Sequence, residues 1–176
     1  MKRCYLLLIG LLVLGASCSG PNERGQSEMT VQDSIVSMEN NLFDNNGAQI
    51  KRADAAKLID LYKKFAKENP QDSLAPVYLF RAADISMNIQ RPVRTIALFN
   101  KIMTDYPDYE KVPSVMFLKA FVYEDQLHDL EKAKKYYEEF LARYPDSDFA
   151  DDAEISLKNL GKTPEELIRE FEQSTE

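Results

Sequence analysis

Few side chains of this sequence combine the type and the spacing that catalysis or metal binding requires. The one histidine, His128, lies in the stretch 126–129, whose residues are typical of a solvated turn. The folded region offers no second histidine and no cysteine, so zinc has no plausible set of ligands. We therefore predict that His128 is a turn residue, neither a base nor a ligand, and that the chain has no metal site.

Aspartates are most dense over residues 146–152, and two further kinds of site have to be considered for them. The group attracts Ca²⁺ in principle, but the stretch lacks the glycine and the distal glutamate of an EF-hand loop. Paired carboxylates also serve glycoside hydrolysis, yet exposed acids on an acidic helical protein usually form a solvated face. We instead expect Asp148 to cap a helix, with Asp151 and Asp152 stabilised near its N-terminus. No catalytic residue is predicted.

The glycines exclude the common nucleotide sites. Of six glycines, only Gly47 and Gly161 lie in the region that we expect to fold. A phosphate-binding loop or a dinucleotide fingerprint needs several glycines at fixed spacing before a helix. No cofactor is therefore predicted.

The N-terminus has the organisation of a secretory signal. Lys2 and Arg3 precede an apolar run of ten residues, Tyr5 to Leu14, which small residues follow. Such a run is too short to span a bilayer comfortably and is typical of a leader that is removed. We predict a signal peptide over residues 1–17 and exclude it from the fold.

The small residues followed by Cys18 resemble the lipobox of bacterial lipoproteins. In that family the cysteine is diacylated and becomes the new N-terminus, so the resemblance implies lipidation at Cys18. This cysteine would then be alone in the mature chain and could form no internal disulfide. Gly15 stands where the family usually has leucine, and Leu14 lies one position further back. Cleavage without lipid, which would give a soluble periplasmic protein, therefore stays an alternative.

Three features of the sequence bear on where the protein acts and on its partners. Ser19 replaces the aspartate that commonly marks retention at the inner membrane, so the resemblance favours the periplasmic face of the outer membrane. Residues 18–29 are mostly small and polar, which predicts a flexible tether. The formal net charge of −7 becomes −9 without Lys2 and Arg3. An acidic protein repels phosphate backbones, so nucleic acid is not an expected partner.

The rest of the chain repeats one spacing of residues, and this spacing defines the elements on which any site must lie. An apolar or small residue is followed by an aromatic at +4, a large apolar residue at +7 and a proline at +12, in Leu58-Tyr62-Phe65-Pro70, Thr95-Phe99-Ile102-Pro107 and Ala133-Tyr137-Phe140-Pro145. Offsets of 4 and 7 place the three side chains on one helical face, and the proline stops the helix. The prolines lie 37 and 38 residues apart, and such a period predicts a helical solenoid.

We predict an all-α fold of antiparallel helix pairs, with about seven to eight helices and no sheet. The pairs occupy residues 30–70, 74–107, 111–145 and 148–173. Individual helices are predicted to begin after the cap Thr30 and to cover 52–68, 76–88, 92–105, 113–126, 129–143 and 149–160. A last helix begins at a capping box, Thr163 to Glu166, and should turn Leu167, Ile168 and Phe171 toward the core.

The repeated pattern resembles the second helix of tetratricopeptide repeats (TPRs), which set a small residue, an aromatic, an apolar residue and a proline at these offsets. Ala133, Tyr137 and Pro145 match best, whereas Phe140 stands where the family usually has alanine. The resemblance covers about residues 30–173 and implies a right-handed TPR-like solenoid. Combined with the leader, it is similar to envelope TPR proteins of Gram-negative bacteria. These include the lipoprotein component of the β-barrel assembly machine and the periplasmic accessory of the Tol-Pal system.

TPR proteins line a concave surface with the first helix of each pair, so the resemblance also implies where a partner would bind. Tyr78 and Tyr123, beside Arg81 and Lys119, are the candidates for a groove that takes a peptide or a partner's helix. The leading hypothesis is a non-enzymatic, lipid-anchored TPR adaptor that binds envelope proteins or peptide segments. A component of outer-membrane β-barrel assembly and a glycan-binding or hydrolytic envelope lipoprotein stay open as alternatives, as does self-association.

Overall fold

The computed structural model describes residues 29–43 and 51–174, and within these ranges every regular element is helical. The elements are α1 (Val31–Phe43), α2 (Arg52–Glu68), α3 (Leu74–Asn88), α4 (Pro92–Asp105), α5 (Val112–Phe121), a π-helical turn (Val122–Gln126), α6 (Leu130–Arg143), α7 (Ala150–Asn159) and α8 (Pro164–Ser174). The predicted leader, the lipidation site Cys18, most of the tether and the turn after α1 lie outside the described residues. In the described part of the chain, no helix is both long and apolar enough to cross a bilayer.

Helices α1 to α7 pack mainly against their neighbours in the sequence, which is the arrangement of a solenoid. The pairs are α1 with α2, α3 with α4, and α5 with α6, while α7 packs against α6 and its predicted partner α8 makes only weak contacts. The all-α TPR-like solenoid predicted from the sequence is confirmed. Two clusters of buried side chains form its core. One joins α1 to α5 and the other joins α5 to α7, and Met103, Tyr123 and Tyr144 pack against both.

The repeated apolar positions form the centre of this core, as the sequence predicted. All nine are at most 4% exposed: Leu58, Tyr62, Phe65, Thr95, Phe99, Ile102, Ala133, Tyr137 and Phe140. The small residues of the first helices, Ala82, Ala83 and Ala120, are fully buried as well, which lets the helices approach one another closely. Because each such face needs the neighbouring pair to cover it, stability depends on stacking.

The second helix of each of the first three pairs ends in the same way. Asn69, Tyr106 and Tyr144, each just before a proline, have φ values of −129°, −135° and −137° and ψ values of 60°, 59° and 57°. Each donates its backbone N–H to the carbonyl four residues earlier, at 2.8, 2.9 and 2.8 Å. The following proline has no N–H to continue the helix. The repeat is therefore one of backbone geometry as well as of side-chain spacing.

The predicted helix starts agree with the structure to within one residue, except that of α3, which differs by two. Thr30 accepts from the N–H of Asp33 at 3.1 Å and caps α1. Helix α3 begins at Leu74, two residues before the predicted Pro76, because the Asp72 carboxylate accepts from the Leu74 N–H at 2.8 Å. A proline in the first turn of a helix is tolerated, since its missing N–H would have no partner there.

The helix predicted over 113–126 changes form before it ends. Its last five residues make a π-helical turn, in which the Leu127 N–H donates to the Val122 carbonyl at 3.1 Å. His128 then takes a left-handed φ of 53°, and the Asp129 N–H donates to the Tyr123 carbonyl at 2.8 Å. His128 is exposed, which confirms its prediction as a turn residue.

Two predictions about the last pair are wrong. Asp148 does not cap α7: the cap position is Phe149, and the backbone N–H of Ala150 donates to the Ser147 carbonyl at 2.8 Å. Asp151 and Asp152 do lie in the first turn, where the helix dipole favours acids.

The second error concerns α8. Its predicted inward stripe is instead exposed, with Leu167, Ile168 and Phe171 at 36%, 59% and 70%. Helix α8 does begin at the predicted capping box, since Thr163 accepts from the Glu166 N–H and the Glu166 carboxylate accepts from the Thr163 N–H. It packs only weakly on the rest of the described chain, so the earlier helices do not cover its apolar face.

Candidate partner-binding surface

Glu39 of α1 forms the centre of a polar cluster that joins the first three helices. One of its oxygens accepts from the Tyr62 hydroxyl of α2 at 2.5 Å and from the Arg81 guanidinium of α3 at 2.7 Å. Tyr62 is 1% exposed, whereas half of the Arg81 side chain is exposed. The cluster therefore has a buried side, formed by the phenol, and an accessible side, formed by the guanidinium.

This arrangement changes the acid–base properties of its members. Burial first, and then the hydrogen bond to Glu39, raises the pKa of the Tyr62 phenol. Desolvation is the largest single influence on Arg81 and opposes its ionisation, but the charge interactions and hydrogen bonds with Glu39 and Tyr62 together outweigh it and raise the pKa of the guanidinium. Arg81 thus stays a cation, and its exposed part is available to a carboxylate or a carbonyl of a partner.

Tyr78 lies beneath Arg81 and belongs to the core. Its ring stacks on Tyr62 with centroids 5.1 Å apart and meets the edge of Phe65 at 4.8 Å. The guanidinium carbon of Arg81 lies 5.6 Å from the centroid of the same ring. Tyr78 is 5% exposed, so in this structure it supports Arg81 from below and offers little surface of its own.

A cavity of about 470 Å³ borders this cluster, lined by Glu39, Asn40, Tyr62, Phe80, Arg81, Asp84 and Ile85. Phe80 and Ile85 supply apolar surface, while the carboxylates, the amide and the guanidinium supply both donors and acceptors. Because α1, α2 and α3 all contribute, this cavity depends on the stacking of the first pair on the second. Its lining suits an extended peptide, whose backbone has donors and acceptors and whose side chains include apolar groups.

The other two predicted groove residues belong to a separate cluster between α5 and α6. Lys119 is only 5% exposed, and its ammonium nitrogen lies 3.8 Å from the centroid of the Tyr136 ring. The ring of Tyr123 stacks on the ring of Tyr136, with the two centroids 5.3 Å apart. Lys132, held by Asp129 at 2.6 Å, lies 5.3 Å from the Tyr123 ring. The four predicted residues therefore do not share one groove, and Lys119 stabilises α5 against α6 through a cation–π contact.

Sequence reasoning missed three polar residues that organise these surfaces. Glu39 is the first, and Glu124, which accepts from the buried Tyr137 hydroxyl at 2.7 Å, is its counterpart in the third pair. Gln126 is the third: its amide donates to the Met87 carbonyl of α3 at 3.1 Å, across to the preceding pair. A signal for the two glutamates existed, because a tyrosine at a predicted core position needs an acceptor for its hydroxyl.

The aspartates over 146–152 are not gathered as a set of metal ligands. Among the residues that the structure describes, no three His, Cys, Asp or Glu side chains lie close enough to hold a metal ion together. Asp146, Asp148, Asp151 and Asp152 are all exposed.

The family comparison bears on the third helix pair. Residues 114–147 match the family model of the tetratricopeptide repeat. This range runs from the first turn of α5 through the π-helical turn and α6 to the turn after Pro145. The chain therefore contains a tetratricopeptide repeat, a module that in general builds non-catalytic scaffolds for binding other proteins. A search of curated proteins gave no match.

Proposed function

We propose that this protein is a lipid-anchored, non-catalytic TPR adaptor of the cell envelope, which binds a segment of a partner protein at the cavity beside Arg81. The observation that carries the proposal is the tetratricopeptide repeat over residues 114–147, set in a stack of helix pairs that end in the same backbone geometry. Repeats of this kind act by presenting a surface assembled from several helices.

The chemistry of the cavity supports a peptide as the partner group. Arg81 offers an exposed cation whose position is fixed by Glu39 at 2.7 Å and by the Tyr78 ring beneath it. A guanidinium that is already oriented loses little freedom when it binds a carboxylate or a backbone carbonyl. Phe80 and Ile85 can cover one apolar side chain of the same segment.

Membrane anchoring rests on the sequence. Cys18 follows a leader-like apolar run, and Lys2 and Arg3 precede that run. Two or three acyl chains, at about 0.8 kcal/mol per buried methylene, would hold the protein stably on a membrane. The outer membrane is the proposed location. Cell fractionation tests the anchor: wild-type protein should sediment with membranes at high salt and Cys18→Ala should be released. Complete sedimentation of Cys18→Ala would contradict lipid anchoring.

The binding surface is tested by crosslinking in cells with a C-terminally tagged protein, followed by mass spectrometry. Partners that bind at the cavity should be lost in Arg81→Glu, because the reversed charge faces Glu39 and any partner carboxylate. Arg94→Glu is the matched control. Arg94 is also a half-exposed arginine with an acidic partner, since its guanidinium lies 3.9 Å from the carboxylate of Asp60.

The outcomes separate the hypotheses. Capture of one set of envelope proteins that Arg81→Glu loses and Arg94→Glu keeps would support the adaptor. Proteins of outer-membrane barrel assembly within that set would favour the narrower alternative. An unchanged set in both variants would refute the assignment of Arg81 to the binding surface.

A further inference from the structure

Helix α8 presents an apolar stripe to solvent at the C-terminal end of the solenoid. Leu167, Ile168 and Phe171 are 36%, 59% and 70% exposed, and Ile155 on α7 is 57% exposed. Offsets of one and four residues place the three α8 side chains on one face of the helix. We use the term α8 face for Leu167, Ile168, Phe171 and the glutamates that border them, Glu165, Glu170 and Glu172. An exposed apolar helix face of this kind marks an interaction site more often than a scattered single residue does.

The charge of the chain is concentrated in the same segment. Residues 146–176 contain ten Asp and Glu and three Lys and Arg, whereas residues 1–145 contain nineteen of each. Residues 146–176 therefore carry a formal charge of −7, whereas residues 1–145 are neutral overall, or −2 without Lys2 and Arg3. A surface that combines exposed aliphatic groups with such a charge is complementary to a partner that is both apolar and basic.

On α8 itself, glutamates lie on both sides of the apolar stripe. At 100° per residue, Glu165 and Glu172 lie on one side of the apolar stripe and Glu170 lies on the other. A helix laid along the stripe would therefore meet carboxylates along both of its edges. A partner helix that has an apolar seam, with basic residues along both edges of that seam, would match this surface.

The first turn of α8 is stabilised by contacts within residues 162–170. Thr163 and Glu166 close its capping box, and the Lys162 ammonium pairs with Glu170 at 2.6 Å. Gly161 takes a left-handed φ of 79° between α7 and α8, and a Cβ built there would lie 3.2 Å from Leu130 of α6. A preformed helix loses less conformational entropy on binding than a disordered segment.

We propose that the α8 face binds a basic amphipathic helix of another protein, at a surface separate from the cavity beside Arg81. A second copy of this chain is disfavoured as the occupant, because two segments of the same strong negative charge would repel each other. Anionic lipid and nucleic acid are disfavoured for the same reason. The proposal concerns a different surface from the adaptor cavity and does not depend on it.

Binding of two designed peptides tests this proposal. Both have eighteen residues with leucine at i, i+3, i+4 and i+7; one carries lysine and the other glutamate at every remaining position. The full-length protein, purified as it is processed in the cell, is titrated into each fluorescently labelled peptide. Binding is measured by the fluorescence anisotropy of the peptide. We expect the lysine peptide to bind at least about 100-fold more tightly than the glutamate peptide, with binding weakened by added salt.

Matched variants distinguish the α8 face from general attraction between opposite charges. Ile168→Ser should weaken binding of the lysine peptide about tenfold or more, because it removes an apolar contact without changing the charge. Val93→Ser is the control, since Val93 on α4 is 76% exposed and lies outside the α8 face. It should change the affinity by less than about twofold. Arg81→Glu, which tests the adaptor cavity, should leave this affinity unchanged as well.

Three results would overturn the proposal. Equal effects of Ile168→Ser and Val93→Ser would mean that the peptide does not contact the apolar stripe. Equal affinity for the two peptides would remove the charge argument. Concentration-dependent dimerisation in sedimentation velocity that Ile168→Ser abolishes would assign the α8 face to a second copy. Circular dichroism of each variant confirms that its helices are retained.

Discussion

Replacing Phe99 by alanine tests the packing on which the solenoid depends. Phe99 is fully buried on α4, inside the core cluster that joins α1 to α5. Truncation of a buried phenylalanine costs about 3–5 kcal/mol, through lost apolar burial and the cavity that remains. At about 2–4 °C per kcal/mol for a chain of this length, the melting temperature should fall by about 6–20 °C.

Urea denaturation followed by circular dichroism measures this change directly. Val93→Ala is the matched control, because Val93 lies on the same helix but is 76% exposed. It should shift the free energy of unfolding by less than about 0.5 kcal/mol, in either direction. If Phe99→Ala lost less than about 1 kcal/mol, or no more than Val93→Ala, the assignment of Phe99 as a core anchor would be wrong.

Three further predictions concern the hydroxyl groups and the last turn. Tyr137→Phe should lower the free energy of unfolding by about 1.5–3 kcal/mol in urea titrations, because its hydroxyl donates to the Glu124 carboxylate at 2.7 Å; an unchanged midpoint would contradict this. Burial raises the pKa of Tyr62 and of Tyr137 above the ordinary 10.0, so the folded state holds these protons more tightly than the unfolded state. The free energy of unfolding should therefore be retained below about pH 10 and fall as the pH rises further. Urea denaturation at a series of pH values should show a smaller fall when both tyrosines are replaced by phenylalanine. Gly161→Ala should cost about 1 kcal/mol in thermal melts, because φ is 79° and the new Cβ would lie 3.2 Å from Leu130; equal melting temperatures would argue against strain there.

The sequence predicted the repeated part of the fold because local pattern and tertiary packing agree there. Tyr62, Phe99 and Tyr137 recur at the same offset, and each is at most 1% exposed. The proline stops are equally local, since each acts on the backbone immediately before it. Helices α2 and α4 were predicted to the residue, and a proline follows the C-terminal end of each, while α4 also begins at a proline.

Polar contacts between helices were not predictable in the same way. The partner of Tyr62, Glu39, lies 23 residues earlier, whereas the partner of Tyr137, Glu124, lies 13 residues earlier. No fixed spacing links a core tyrosine to its acceptor, so only the need for an acceptor could be inferred. The π-helical turn over Val122–Gln126 also has no local signal, yet it carries Glu124 and Gln126, which bond Tyr137 and the Met87 carbonyl.

Helix α8 shows the limit of amphipathic pattern as evidence for a core. The spacing of Leu167, Ile168 and Phe171 correctly predicted a helix with one apolar face, but the pattern does not identify what covers that face. In α2, α4 and α6 the next helix pair covers the equivalent face, whereas the described chain ends with α8. An exposed apolar helix face of this kind is typical of an interaction site. Here the exposed apolar face lies in the acidic segment 146–176. Binding of a basic amphipathic helix would therefore both cover the apolar side chains and compensate the negative charge.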